Sequence, residues 1–269
     1  MPTSAEPSVN ARPDGNSLSN PNLASIALSD IGSVIEAGVK DFTKAPVVSI
    51  AIAAVYTIGG WLLAALLWVF NLPFLVYPVA MGFALVAPFV AVAFYDVSRS
   101  LSKGEEPSIW QAWCAVCDAK NRDIRWMALI TSFAFFLWMD MAAMITLSFF
   151  GAAALDMGEL LKQIGTTGSG AVFLVVGHAV GAAIALLIFS ISVISIPMLF
   201  DRDIDIISAI RTSVRLVKAN PVALTLWCGT IAASIVVSIA TGLVLLPVVL
   251  PVLGYASWHL YKKAVAAPQ

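Results

Sequence analysis

Charged residues are scarce in this sequence: they make up 12% of its 269 residues, whereas soluble domains carry about 25%. Hydrophobic residues account for 60%, and the mean hydropathy is +0.91. These values lie far from those of soluble domains. The composition therefore excludes an ordinary soluble protein and indicates an integral membrane protein.

Residues that carry chemistry are also scarce, with three cysteines and two histidines in the chain. Cys114 and Cys117 form a Cys-x-x-Cys pair, but no second pair lies nearby to complete the four ligands of a structural zinc site. Cys228 lies in an apolar run and reads as a small apolar residue. No nucleophile elbow, phosphate loop, metalloprotease motif or dinucleotide fingerprint occurs. We therefore expect no enzyme activity, metal, cofactor or nucleic-acid partner, and a lipid-acting enzyme without a familiar motif is the remaining alternative.

Long apolar runs dominate what is present. A spanning helix needs roughly 20 mostly apolar residues, and six runs reach that length. They cover about residues 46–70, 73–95, 126–149, 171–199, 221–240 and 243–261. The sequence predicts an all-α, six-span helix bundle over residues 23–265, preceded by a disordered cytoplasmic tail over residues 1–22 that is rich in Ser, Pro and Asn.

The distribution of basic residues predicts the orientation. All but one of the 15 Lys and Arg residues fall before the first span, after the last span, or in the two connections that follow the second and fourth spans. Lys162 alone lies in the connection between the third and fourth predicted spans, on the opposite side of the membrane. By the positive-inside rule both termini are cytoplasmic, and an even number of spans agrees with this.

Three segments between the spans have helical periodicity. Residues 26–44, 107–120 and 203–219 are predicted to be interfacial helices, each followed by a membrane hairpin. A shift of 175 positions aligns Pro46 with Pro221 and gives six identities in seventeen positions, which suggests an internal repeat. In the last segment Ile207, Ile210, Val214 and Val217 form an apolar face. The predicted lipid-headgroup contacts are Arg122, Arg125, Arg211, Arg215 and Lys218.

Two motifs carry a resemblance to a known family. The second span contains Gly-Phe-x-Leu-x-x-Pro over residues 82–88, and the chain ends near Trp258-His259-Leu260-Tyr261. The pairs Tyr77-Pro78, Tyr95-Asp96 and Ser98-Arg99 belong to the same pattern. With these motifs, residues 26–265 resemble the bacterial integral membrane family catalogued as domain of unknown function 2189. The resemblance implies a multi-pass protein of the inner membrane. Some family members have a cytochrome oxidase label, which implies an accessory role in a respiratory oxidase complex as one alternative.

Asp140 is the candidate site residue because it lies inside the third span, where an ionised carboxylate must face the bundle, pair, or take up a proton. His178 lies at a similar depth in the fourth span. We predict a buried Asp140–His178 pair, either a structural hydrogen bond or part of a proton or cation relay. Haem ligation by both histidines is disfavoured, since His259 lies roughly 15–20 Å from His178 along the membrane normal.

Gly177 and Gly181 form Gly-x-x-x-Gly beside His178, and small residues at this spacing are typical of close helix packing.

Two functions are consistent with the sequence as a whole. The first is a non-catalytic module that packs against lipid or a partner complex. The alternative is a small-solute or proton/cation transporter that uses Asp140 and His178, with prolines near a cavity.

Overall fold

The computed structural model describes residues 24–117 and 122–265, and all regular elements within these ranges are helical. The predicted all-α class is confirmed. The predicted tail lies outside the described residues, as does Lys120. The α-helices are α1 (Leu28–Lys44), α2 (Pro46–Val69), α3 (Val76–Ser102), α4 (Ile109–Cys117), α5 (Arg122–Phe150), α6 (Met157–Thr166), α7 (Gly168–Ser192), α8 (Ser195–Asp201), α9 (Ile206–Ala219), α10 (Pro221–Ala240) and α11 (Leu246–Ala264). Short 3₁₀ segments precede α3 and α6, at Pro73–Leu75 and Gly151–Leu155.

Four segments among the described residues are long and apolar enough to cross a membrane. They are Pro46–Val69, Ile124–Leu155, Gly168–Asp201 and Pro221–Ala240. The predicted spans 73–95 and 243–261, which correspond to α3 and α11, fall outside this group. The second half of α11 carries His259, Lys262 and Lys263, which lower its hydropathy.

Helices α3 and α11 form the interior of the bundle. The Phe94 and Tyr255 rings meet edge to face with centroids 5.6 Å apart, and Tyr95 stacks on Trp258 at 5.7 Å. All four side chains are at most 2% exposed. A Cβ at Gly254 would lie 2.8 Å from the Phe94 ring, so the close approach of these helices requires glycine there.

Both ends of the described chain lie at the same end of the bundle. The Ala24 amide donates to the Ala264 carbonyl at 3.1 Å, and the Ile26 amide donates to the Asn220 side chain at 2.7 Å. Lys263 forms an ion pair with Asp30 at 2.6 Å. An even number of crossings, as predicted from the sequence, requires only that the two ends lie on the same side.

The two segments that the 175-residue shift aligns share one backbone turn. Ala45, between α1 and α2, has φ −132° and ψ 55°, and Asn220, between α9 and α10, has φ −131° and ψ 54°. In both cases proline opens the next helix, where its missing N–H group costs no hydrogen bond. A bend of the same geometry thus leads from each amphipathic helix into a span.

Helix α9 buries a different face from the predicted apolar one. Its buried residues are Ala209, Thr212, Ser213 and Leu216, whereas Ile207 is 60% exposed. Small side chains allow α9 to lie close against the protein, and the Ser213 hydroxyl donates to the Ser190 carbonyl at 2.8 Å. The predicted apolar face is therefore divided, since Ile210 and Val217 pack at the edge of the core and Ile207 lies outward beside the basic residues. The Asp205 side chain caps α9 by accepting from the Ser208 amide at 2.9 Å.

The second predicted interfacial helix is shorter than expected. It is α4, Ile109–Cys117, where residues 107–120 were predicted, and residues 118–121 lie outside the described ranges. Trp113 packs against the core, whereas Trp110 is 75% exposed, an exposure typical of tryptophan at headgroup level.

Candidate functional site

The predicted Asp140–His178 pair is not formed in this structure. His178 Nδ1 lies 2.7 Å from the Leu174 carbonyl and Nε2 lies 3.3 Å from the Tyr77 hydroxyl. A carbonyl only accepts, so Nδ1 donates and Nε2 of a neutral ring accepts from Tyr77. Asp140 is exposed and has no hydrogen-bond or ion-pair partner among the described residues.

The rotation of α5 explains why the two residues do not meet. Trp138 and Ala142 face α7 and line a cavity with His178. Residues two positions apart on a helix point in nearly opposite directions, so Asp140 faces away from that cavity. Asp140 and His178 lie at a similar depth on consecutive spans, but their side chains point in different directions and do not meet.

The cavity beside His178 lies between α3, α5, α7 and α10 and has a volume of about 590 Å³. We name it the Tyr77 cavity. Its wall is apolar except for Tyr77, His178, Thr146 and the Trp138 indole. The indole Nε1 donates to the Pro78 carbonyl at 2.8 Å, which holds this ring in place as part of the wall.

The two glycines of the predicted packing motif have different surroundings. A Cβ at Gly181 would lie 2.9 Å from the Trp138 ring, so this position is a close helix contact. A Cβ at Gly177 would meet nothing within 4 Å. Only Gly181 packs as the motif suggests, whereas Gly177 opens onto the Tyr77 cavity.

The face of α5 that carries Asp140 is an outward-facing apolar stripe. Phe133 is 69% exposed and Met144 62%, and both lie in line with Asp140 along the helix. We name this surface the Asp140 stripe. Its members are Phe133, Phe136, Leu137, Asp140, Met144 and Leu147. One carboxylate thus stands at the centre of a surface otherwise suited to hydrocarbon.

A polar cluster that the sequence analysis missed lies at the end of the bundle that holds the termini. Asp41 Oδ2 accepts from Ser98 Oγ at 2.6 Å and from His259 Nε2 at 2.7 Å. Burial raises the pKa of this carboxyl, but the hydrogen bonds from His259 and Ser98 outweigh burial and hold it below its usual value. A signal was available, because Ile31, Val34, Gly38 and Asp41 share one helical stripe.

A second polar cluster joins α8 to α11. The Tyr261 hydroxyl donates to Asp201 at 2.7 Å, and Lys262 pairs with the same carboxylate at 2.9 Å. Nearby, Arg99 pairs with Asp96 at 2.6 Å and lies over the Phe200 ring at 4.4 Å. The terminal Trp-His-Leu-Tyr motif is thereby explained by packing and hydrogen bonding.

Residues 76–201, from α3 to α8, match the model of a family described as "Predicted integral membrane protein (DUF2189)". This segment is a member of that family. The match is narrower than the predicted 26–265. No curated protein and no solved structure matches the chain.

The DUF2189 segment contains the Tyr77 cavity wall on α3, α5 and α7, together with the Asp140 stripe. It does not include Asp41 or His259. The two histidines lie far apart, because their neighbours Tyr77 and Ser98 are separated by 21 residues of α3, about 31 Å of helix. Among the described residues no group of three or more His, Cys, Asp or Glu side chains could hold a metal ion.

The predicted headgroup residues lie on the surface where they are described. Arg125 in the DUF2189 segment and Arg211, Arg215 and Lys218 on α9 are exposed. The side chain of Arg122 lies outside the described part of the structure, as does that of Cys117. Cys114 is a free, exposed thiol.

Proposed function

We propose that this chain is a non-catalytic membrane module of six spans, with both termini cytoplasmic, that packs against lipid and against a helix of a partner membrane protein. The length of α3 supports the six-span arrangement. Its 27 residues measure about 40 Å, more than the roughly 30 Å hydrocarbon core. One end of α3 contacts His178 and the other contacts Asp41.

The charge distribution supports the orientation. Lys40, Arg99, Lys218 and Lys263 belong to elements that meet at the end of the bundle where the termini lie. Lys162 lies on α6, which packs near the opposite end. By the positive-inside rule the terminal end faces the cytoplasm.

The exposed position of Asp140 is the observation that carries the partner proposal. Ionisable residues within spans almost always face protein or a water-filled cavity, because a carboxylate in lipid is costly. Asp140 meets neither among the described residues. A partner helix that offers Lys, Arg, His or a hydroxyl group would supply the missing hydrogen bond.

The exposed position of Asp140 is not well explained by association of two copies of this chain through the Asp140 stripe. A symmetric dimer through this face would place two Asp140 carboxylates near the same axis. Like charges at short range destabilise each other. A helix from a different chain, with a complementary donor, fits the stripe better.

The transporter alternative has less support. The described wall of the Tyr77 cavity contains no Asp, Glu, Lys or Arg side chain. Transport of an ion or a polar solute needs a succession of polar groups across the membrane. The apolar wall favours a packing role.

Site-specific photo-crosslinking in native membranes tests the partner proposal. A photoreactive residue at Met144 should form one discrete adduct with a second protein, and Asp140→Leu should abolish it. Asp140→Asn retains hydrogen-bonding capacity and should preserve much of the adduct. The control position is Val175 on α7, which is 71% exposed and outside the stripe.

Three outcomes would contradict the proposal. They are no adduct at Met144, an adduct with a second copy of this chain, and the same adduct from Val175. A positive result also requires that the identified partner helix carry a donor side chain at the depth of Asp140. A partner from a respiratory oxidase would support the accessory role that the family resemblance implies.

A further inference from the structure

The Tyr77 cavity extends along α7. Its lining on this helix runs from Phe173 to Ala185, thirteen residues with a rise of about 18 Å between the first and the last. One leaflet of a bilayer contributes about 15 Å of hydrocarbon. The cavity therefore has the length of one acyl chain.

The cavity is a preformed feature. Trp138 is fixed by its hydrogen bond to Pro78 and by contact with Gly181, so its indole does not close the space. Gly177 leaves the wall open where any larger side chain would fill it. The volume of about 590 Å³ lies within the roughly 300–1,000 Å³ of small-molecule sites.

The polar side chains of the cavity lie nearer its Phe173 end, since His178 is five positions from Phe173 and seven from Ala185 along α7. The Tyr77 hydroxyl and the His178 ring meet there, and Tyr77 is 46% exposed. Tyr77 is the second residue of α3, and tyrosine near a span end is typical of the membrane–water interface. An amphiphile would place its ester or headgroup atoms beside these two side chains and its chain against the apolar wall.

Two other occupants fit less well. Ala24, the first described residue, contacts Ala264 at the opposite end of the bundle, far from the cavity. A partner helix has a diameter of about 10 Å with its side chains, so a segment as long as the cavity would exceed its volume. Both α5 and α7 belong to candidate spans, so lipid surrounds the cavity mouth.

We propose that the Tyr77 cavity binds one acyl chain of a membrane phospholipid from the leaflet nearest Tyr77. The polar end of this lipid lies beside Tyr77 and His178. The site goes beyond the proposed partner contact, because it lies on the opposite side of α5 from Asp140.

Photolabelling in vesicles tests this site. The full chain is reconstituted in phosphatidylethanolamine and phosphatidylglycerol with a trace of phosphatidylglycerol that carries a diazirine on one acyl chain. Adducts should concentrate on cavity-facing residues such as Ile184 and Ala142. Gly177→Leu should reduce them about tenfold, the change produced by a loss of roughly 1.4 kcal/mol of binding free energy. Gly229→Leu, the same change on α10 with nothing within 4 Å, should leave them unchanged.

A second variant, Ala185→Leu, fills the far end of the cavity and decides the result if Gly177→Leu fails to fold. Unchanged adducts in folded cavity variants would overturn the proposal, because they would identify ordinary annular lipid. Labelling by a free diazirine fatty acid but not by the phospholipid would overturn it as well. Failure of the Asp140 crosslink would leave this site unaffected.

Discussion

At the scale of single residues, Asp41 is a buried carboxylate with hydrogen bonds to two other helices. It lies on the buried face of α1 and is 6% exposed. Ser98 from α3 and His259 from α11 both donate to it, so one carboxylate joins three helices. Removing a buried acceptor leaves its donors without partners, which costs more than the hydrogen bonds contribute.

We expect Asp41→Leu to lower the free energy of unfolding by about 1–3 kcal/mol, because it leaves the Ser98 and His259 donors unpaired. Asp41→Asn keeps an acceptor oxygen and should cost less. Asp30→Asn is the control, since it removes a more accessible ion pair on the same helix and should have little effect. SDS titration in detergent micelles measures these changes, and equal losses for Asp41→Leu and Asp30→Asn would contradict the assignment.

The Asp41 cluster also predicts a pH dependence. The folded protein holds the pKa of Asp41 below its ordinary value of 3.8, so the unfolded chain binds this proton more readily. The contribution to stability is present above pH 3.8 and is lost as the pH falls through the lower, folded pKa. The acid limb of the stability curve should flatten in Asp41→Asn. An unchanged acid limb would show that other carboxylates dominate it.

At the scale of elements, α1 lies against α11 closely enough to exclude a side chain. A Cβ at Gly38 would lie 2.6 Å from the Val252 carbonyl and 3.0 Å from the Ala256 amide. Both atoms belong to the backbone, so neither can rotate away. This crossing places Asp41, one turn further along α1, within reach of His259.

Gly38→Ala should therefore destabilise the protein by about 1–3 kcal/mol, as expected for overpacking. Gly32→Ala on the same helix meets nothing within 4 Å and should be neutral or slightly stabilising, since alanine favours helix. Thermal unfolding in detergent compares the two variants directly. A tolerated Gly38→Ala would rule out the close crossing.

Helix α9 has a buried face and an outward basic face. Its buried residues face the protein, with Ile210 and Val217 packed at the edge of the core, whereas Ile207, Arg211 and Arg215 are exposed. An interfacial helix inserts its apolar side chains below the headgroups and holds cations at headgroup level. Exposed Ile207 and the basic residues are placed for that arrangement.

Arg211→Glu with Arg215→Glu should reduce the phosphatidylglycerol or cardiolipin that remains bound through purification. Each cation contributes about 1 kcal/mol near an anionic leaflet, so reversing two charges should lower retention about tenfold or more. Lys162→Glu, at the other end of the bundle, serves as the control and should have little effect. Lipid extraction and mass spectrometry quantify the change, and unchanged retention would count against lipid contact at α9.

At the scale of the whole molecule, the two polar clusters and the first and last described residues lie at one end of the bundle, and the Tyr77 cavity lies towards the other. α3 and α11 connect these ends through the interior, whereas α2, α5, α7 and α10 present most of their apolar residues outward. One end of the protein is therefore held together by many hydrogen bonds and ion pairs between helices, and the other end contains the cavity.

Cysteine labelling tests the orientation in a background without the native cysteines. Gly165→Cys on α6 should react with a membrane-impermeant maleimide added to intact cells. Glu105→Cys, in the loop after α3, should react only after the membrane is permeabilised. Both positions are exposed, so accessibility to solvent does not distinguish them. The reverse pattern of labelling would overturn the proposed topology.

The sequence by itself determined the helical class, the four strongly apolar candidate spans and the amphipathic helices. These features depend on residues close together in the chain, so local hydropathy and periodicity suffice to find them. The tertiary structure alone decided which faces meet. It placed Asp140 on the outside, brought His178 within hydrogen-bond distance of Tyr77, and brought Asp41 within hydrogen-bond distance of His259, 218 positions away in sequence. Such pairings depend on how each helix is rotated about its axis, and that rotation is set by packing between side chains distant in sequence.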